Sequence, residues 1–434
     1  MCKPSSPRRQ MQADREPPPM NRRVLIASDY GARDAAYSSL SYEFCKVAAE
    51  CDDAHLVAPK LRQSIVPFVD NVIADHIDRE RVQRDVNRLL KGVRRRIGMR
   101  DGPTIEPFEV DREYELFVYI AYDINSLVEL SRVKGWRERC SKAVVAIHEL
   151  WSTELASNRT YLSLLDRFDH VFVLSESVAE KLQSHLGKPC EALPSASDTL
   201  VATPFPDLPE RVIDLYSFGS RRVDLHEHLI DLVAKREIFY VYDSLSSTDS
   251  RMRNWREHRF LLADTMRRSR YFLAFDPASL TSPRSSVING ESVLPGRLFE
   301  GVAGGAAIIG FAPRCREFKR HFDWPDAVID VPADPRDFKA FLSSLDLQTD
   351  RMDRLRRTNA IQALRRHDWA YRWERILRVG GLEPHPKLEA RKSRLRALAD
   401  AAEFGAAAFD ADGRGDPREY RRLKSSPQSS AQIM

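Results

Sequence analysis

Cysteine is scarce and unpatterned in this chain: Cys2, Cys45, Cys51, Cys140, Cys190 and Cys315 are scattered over 434 residues, without CxxC spacing or histidines at ligand spacing. That excludes a disulfide framework and the usual zinc sites, and leaves the thiols as core residues. Long apolar runs are missing too. None approaches the roughly 20 residues needed to cross a bilayer, and the N-terminus has no apolar signal core, so a cytoplasmic protein is expected. Neither sign of charge dominates, since 68 Lys and Arg stand against 63 Asp and Glu, a formal +5. This permits anionic ligands without the concentrated basic footprint of a nucleic-acid binder. Glycine is sparse at 18 residues, and Gly31, after the first apolar run, lacks the second and third glycines of a dinucleotide fingerprint.

What remains is ample material for two or three domains, with 43% hydrophobic and 30% charged residues. Residues 1–21 are rich in Pro, Arg, Ser and Gln and read as a disordered tail, with Met20 as an alternative start. Val24-Leu25-Ile26-Ala27, a turn at 28–33, the helical spacing of Leu40, Phe44, Val47 and Ala48, and a second apolar run at 55–58 make a βαβ unit. Apolar positions from 65 to 97 recur at helical spacing, and the Arg94-Arg95-Arg96 run within them reads as a solvated face. Strands are predicted at 116–120, 143–147 and 171–174, with a helix around 124–130. Ser175 or Ser177 is predicted to cap a further helix that stops at Gly187. His148 falls at the carboxyl end of its strand, where ligands gather in open α/β sheets.

Thr203-Pro204-Phe205-Pro206-Asp207-Leu208-Pro209 is the best linker in the chain. Periodicity then restarts: a strand at 213–218 meets Gly219, Ser220, Arg221, Arg222 and a helix carrying Leu225 and Leu229. A strand, a glycine, two arginines and a helix start make an anion cradle. Strands at 239–242 and 271–275 precede a polar loop, 276–296, that holds Arg284 and Glu291 and is longer than a connection needs to be. The run Arg297 to Gly310 predicts a helix feeding a buried strand. Glu300 is placed in the first turn, where free N–H groups favour an anion or a hydroxyl-rich ligand. Gly304 and Gly305 let helix and strand approach closely, and the strand at 306–309 is apolar on both faces. A last strand near 328–329, helix over 350–379 with Trp369 and Trp373, and a charged, alanine-rich helix beyond Pro386 complete the chain.

A glutamate at 300 with alanine three on, glycine five on and small-apolar-apolar beyond resembles the nucleotide-sugar signature of GT-B glycosyltransferases, most of all the spore-maturation-type branch. The resemblance covers roughly 22–380. It implies an α/β fold of two Rossmann-like doubly wound domains facing a cleft: an acceptor domain over 22–202, a linker over 203–211 and a nucleotide-sugar domain over 212–366. A crossing helix over 367–386 and a tail over 387–434 follow. It implies that Glu300 grips ribose hydroxyls, that Arg221 or Arg222, with Arg297, holds the diphosphate, and that Gly219, Glu291 and Gly304 complete the donor side. His148 resembles the histidine that reaches the donor sugar, and both His148 and Asp29 are candidates for the base. Glu291 is one position out of register with the further carboxylate of retaining relatives, and the lone Gly31 departs from the glycine-rich acceptor loop.

The implied activity is transfer of a sugar, of the hexosyl type, from a nucleoside-diphosphate sugar to a glycan, lipid-linked or small-molecule acceptor in cell-surface polysaccharide or glycoconjugate synthesis. Arginines offset the charge of the departing diphosphate, so no metal is needed and no cofactor beyond the donor substrate is expected. No nucleic-acid partner is expected, while peripheral membrane contact is. Two alternatives share the architecture: a catalytically inactive sugar-nucleotide binding protein and a sugar-nucleotide epimerase.

Overall fold

A computed structural model of the chain describes residues 23–32, 35–58, 107–244, 254–281 and 284–411. The N-terminal tail, the helical stretch 65–97 with Arg94-Arg95-Arg96 and the tail beyond 411 lie outside the described residues.

Two parallel sheets organise the chain. The first has the order His55–Val57, Val24–Ser28, Tyr114–Asp123, Cys140–Glu149, His170–Val173, Cys190–Ala192. The second has the order Tyr240–Tyr242, Ile213–Ser217, Ser269–Phe275, Ala307–Phe311, Ile329–Asp330. Strands of this kind are covered by helices on both faces, and so the central ones are apolar at successive positions: Val24 to Ala27 and Ala306 to Ile309 are wholly buried. This is the two-unit, doubly wound α/β architecture that the sequence predicts.

The glycine at the end of the second run matters sterically. A Cβ on Gly310 would stand 1.7 Å from the carbonyl oxygen of Ala274 on the neighbouring strand, and backbone in a sheet cannot retreat. Gly310→Ala is therefore expected to lower the unfolding free energy by at least about 3 kcal/mol, at the upper end of overpacking costs, as measured by urea denaturation. An unchanged midpoint would refute this.

The helical segment predicted over 350–379 comprises two helices, Thr349–Arg366 and Trp369–Gly380. Asp368 breaks the run: its backbone is extended, its carboxylate accepts from the Ala370 N–H at 2.9 Å, and so it starts a new helix. Ser175 sits at the N-cap position of Glu176–Leu186 but makes no capping bond. The Glu176 N–H is taken instead by Glu317 Oε1 at 2.7 Å, a carboxylate from the other half of the chain. A helix over Trp255–Arg267, capped by Asn254, is an addition.

Trp369–Gly380 returns to the first sheet. Trp369 stacks on Phe44 with ring centroids 4.5 Å apart, and Trp373 Nε1 donates to Asp52 Oδ2 at 3.1 Å. The two halves thus share a core, and the carboxyl ends of both sheets carry the residues considered next.

Candidate functional site

The helix Gly296–Ala303 begins after Pro295, whose extended backbone ends the preceding loop, and no side chain caps its free N–H groups. Arg297, the second helical residue, folds over the loop that follows Ile213–Ser217. Its Nη1 donates to the Ser220 carbonyl at 2.6 Å, and its guanidinium carbon lies 5.7 Å from the Phe218 ring centroid. Gly219, at φ +70°, makes this possible, since a Cβ there would lie 2.8 Å from Arg297 Nη2. Among the described residues no carboxylate forms a salt bridge with Arg297, and burial holds its guanidinium below the ordinary arginine range, only partly opposed by Glu300.

The neighbouring arginines are engaged differently. Arg221 Nη2 bonds the carbonyl (2.7 Å) and carboxylate of Asp243, while its Nη1 is enclosed without a partner. Asp243 also accepts from the Gly219 N–H at 3.1 Å, which ties the loop together. Arg222 turns away, to Asp224 at 2.7 Å and to the carbonyls of Pro332 and Ala333. Arg297, Gly219 and Arg221 therefore converge, and Arg222 does not join them.

Glu300 is not in the first turn. The helix starts at Gly296, so Glu300 is its fifth residue, and its carboxylate faces sideways into the boundary between the two halves. There Arg259, from Trp255–Arg267, hydrogen-bonds Glu300 Oε1 through Nη1. The same guanidinium gives Nε and Nη2 to the two oxygens of Glu43, each at 2.8 Å. Glu43 belongs to Ser38–Asp52, under the first sheet. It also accepts from the Asp198 N–H at 3.1 Å and from Trp369 Nε1 at 2.9 Å. All three side chains are buried, with relative exposures of 6% (Glu43), 7% (Arg259) and 7% (Glu300). The cavity they line with Asp198, Leu262 and Met266 holds about 10 Å³, room for one water.

His148 follows its strand as expected but is packed between Phe44 and Trp369, at 5.9 and 5.7 Å between ring centroids, and its Nε2 is enclosed without a hydrogen-bond partner. Burial lowers its pKa to about 4. Asp29 is buried immediately after Val24–Ser28. Two expected donor-side residues are used otherwise. Glu291 crosses to the first half, accepting from the Ser152 N–H (2.9 Å), Ser152 Oγ (3.0 Å) and Ser177 Oγ (2.6 Å). Gly304 faces Met266, where a Cβ would approach to 2.4 Å, so its smallness serves packing of the helix.

Burial also pushes His258 and His321 down to about 4, and His367 well below its ordinary value. Each binds its proton more weakly folded than unfolded, where the pKa is about 6.5. Between about pH 6.5 and 4 the unfolded state holds more protons, so stability falls as pH falls through that window. Denaturation midpoints are expected to drop steadily from pH 7 to 4.5, and less steeply in His148→Phe, whose ring suits the aromatic pocket. An identical slope in that variant would show that His148 titrates normally.

Sequence reasoning missed Glu43, Arg259 and a link between Tyr122, Glu149, Trp151 and Arg284. Tyr122 Oη and Trp151 Nε1 donate to Glu149 at 2.7 and 2.9 Å, and Arg284 pairs with the same carboxylate from the other half. The spacing of Trp255, Arg259, Leu262, Ala263 and Met266 carries a helical signal. That its arginine is buried against two glutamates has no local signature.

Residues 222–378 match a family model described as glycosyl transferase-like. This segment holds Arg259, Glu291, Arg297 and Glu300; Gly219 and Arg221 lie just before it. No curated protein matches the chain. Among solved structures it is similar to the pneumococcal O-GlcNAc transferase GtfA in complex with UDP and GlcNAc, at TM-score 0.37 and 13% identity over 61% of this chain and 56% of that one. It is similar to an alpha-glucosyltransferase in complex with UDP-glucose and DNA containing an abasic site, at TM-score 0.47 and 12% identity over 82% and 99%. A third is Anabaena HepE in complex with UDP-glucose, at TM-score 0.46 and 11% identity over 82% and 98%. This chain spans little more than half the length of GtfA, and the likenesses are distant.

Proposed function

We propose that this chain is a glycosyltransferase that takes a sugar from a nucleoside-diphosphate donor, with the second half holding the nucleotide and the first half the acceptor. The observation that carries the reading is Arg297, a half-buried guanidinium at an uncapped helix start, beside the Gly219–Ser220 backbone and with no carboxylate salt bridge among the described residues. A diphosphate supplies the missing charge and accepts from both the guanidinium and the helix N–H groups. Negative charge grows on that diphosphate as the sugar leaves, so the same donors stabilise the transition state, and a metal ion is not required for it. Glu300 is the acceptor for ribose hydroxyls. Asp29, buried immediately after the strand Val24–Ser28 at the end where ligands gather in open α/β sheets, is taken as the proton acceptor. His148 is assigned to positioning the donor sugar.

The acceptor is a glycan or lipid-linked hydroxyl of cell-surface synthesis, a reading that rests on the family resemblance and the matched segment. Among the described residues no helix is long and apolar enough to cross a membrane, so any membrane contact there is peripheral. Calorimetric titration with UDP, GDP and ADP, followed by release or transfer from labelled UDP-, GDP- and dTDP-sugars, tests the proposal. Binding of at least one diphosphate with sugar release supports it, and absence of all binding refutes it. The small size of the cavity beside Glu300, about 10 Å³, favours a second reading, binding without transfer; binding with no sugar release, acceptor present, selects that one.

A further inference from the structure

The contact between Glu300 and Arg259 contains more negative charge than positive. Two carboxylates share one guanidinium in a site from which water is nearly excluded. Glu43 is compensated beyond Arg259, since the Asp198 N–H and Trp369 Nε1–H also donate to it. Glu300 is not: among the described residues its hydrogen-bond partner is Arg259, through Oε1. A buried carboxylate with spare acceptor capacity is costly unless donors arrive, and networks of this kind are weak stability devices. A geometric role accounts for this one better.

Arg259 has a geometry suited to one. Its planar fork spends Nε and Nη2 on Glu43, which fixes the plane, and Nη1 on Glu300, which fixes Oε1 and leaves Oε2 directed elsewhere. Glu43 is itself anchored by the Asp198 N–H, shortly before the linker, and by a tryptophan on the returning helix. The carboxylate on the second half is thereby oriented from the first.

We infer that Arg259 is the positioning residue for nucleoside recognition, holding Glu300 so that it accepts from ribose hydroxyls, and that Glu43 makes this recognition depend on the first half of the chain. The inference rests on the ribose role proposed for Glu300 and adds two residues that need not touch the ligand.

The test separates the two claims. Whichever of UDP, GDP and ADP binds the intact chain most tightly is compared with its 2′,3′-dideoxy form by titration calorimetry. In the unaltered protein, loss of the hydroxyls is expected to weaken binding at least about 10-fold. Arg259→Lys keeps a positive charge but cannot make the three-point fork. It is expected to weaken the ribose form about 10-fold while leaving the dideoxy form unchanged, so that discrimination collapses. Glu43→Gln, in the first half, is expected to do the same more weakly and guards against a folding defect at position 259. If both variants discriminate as the unaltered protein does, or weaken both ligands equally, the inference is overturned while the ribose role of Glu300 stands. If the unaltered protein binds both forms equally, the ribose role fails and the inference with it.

Discussion

Arg297→Ala is expected to weaken nucleoside-diphosphate binding by about 10- to 150-fold, the range for losing one or two hydrogen bonds to a charged group at roughly 1.5–3 kcal/mol. The guanidinium sits over Gly219 with one bond to a carbonyl and no salt bridge to a carboxylate among the described residues. Partial burial of that charge is a cost, as the downward push on its pKa indicates. Removing it should leave thermal stability within about 1 kcal/mol of the parent. The two readouts together are diagnostic. Weakened binding with an unchanged melting midpoint identifies a residue that serves the ligand. A lowered midpoint with unchanged affinity identifies a residue that serves the loop, and would remove the main support for the proposed function. Raised ionic strength should also narrow the gap between variant and parent, because part of the attraction is a screened charge effect.

Arg259→Met, by contrast, should lower stability strongly. It leaves Glu43 and Glu300 facing each other without their cation, and stranding buried charge in this way costs about 3–5 kcal/mol. Part of the penalty is relieved when one carboxylate takes up a proton. In the variant the pair is expected to hold that proton to a higher pH than an isolated carboxylate does, because burial and like charge both disfavour the second ionisation. The sign follows: the folded variant binds more protons than its unfolded chain in the mildly acidic range, so its stability relative to the parent recovers as pH falls. Urea denaturation at pH 8 and pH 5.5 measures this directly. A deficit that stays the same at both values would mean that neither carboxylate is trapped, and that the contacts between Glu43, Arg259 and Glu300 are weaker than their geometry suggests.

Both experiments probe the same boundary from different sides. Arg297 belongs to a site with unmet demand for negative charge, whereas Arg259 belongs to one where demand is over-supplied. The two lie on adjacent elements, and Glu300 acts on both, through the hydrogen bond to Arg259 and through the field that it exerts on Arg297. A diphosphate and a ribose hydroxyl pair offer the matching complement, an anion for one and O–H donors for the other.

The sequence by itself determined the strands and their order of appearance. Val24 to Ala27, Val144 to Ile147 and Ala306 to Ile309 are continuous apolar runs, and such runs are stable only between two layers of helix, so a parallel sheet follows from composition and length. Turn chemistry also marked Gly219, Arg221 and Arg222 as an anion cradle, and it was the family resemblance that added Arg297 and the ribose role of Glu300. The tertiary structure alone decided which of the expected residues share a site. Glu291 and Arg222 have the charge and loop positions that suit a donor site, yet their partners, Ser152 and Ser177 for one and Asp224 with two carbonyls for the other, consume their hydrogen-bonding capacity. Glu43 and Arg259 stand 216 positions apart, and no periodicity links them. Hydrophobic patterning is a property of neighbours along the chain, whereas the pairing of buried charges depends on which surfaces the two halves bring together when they close.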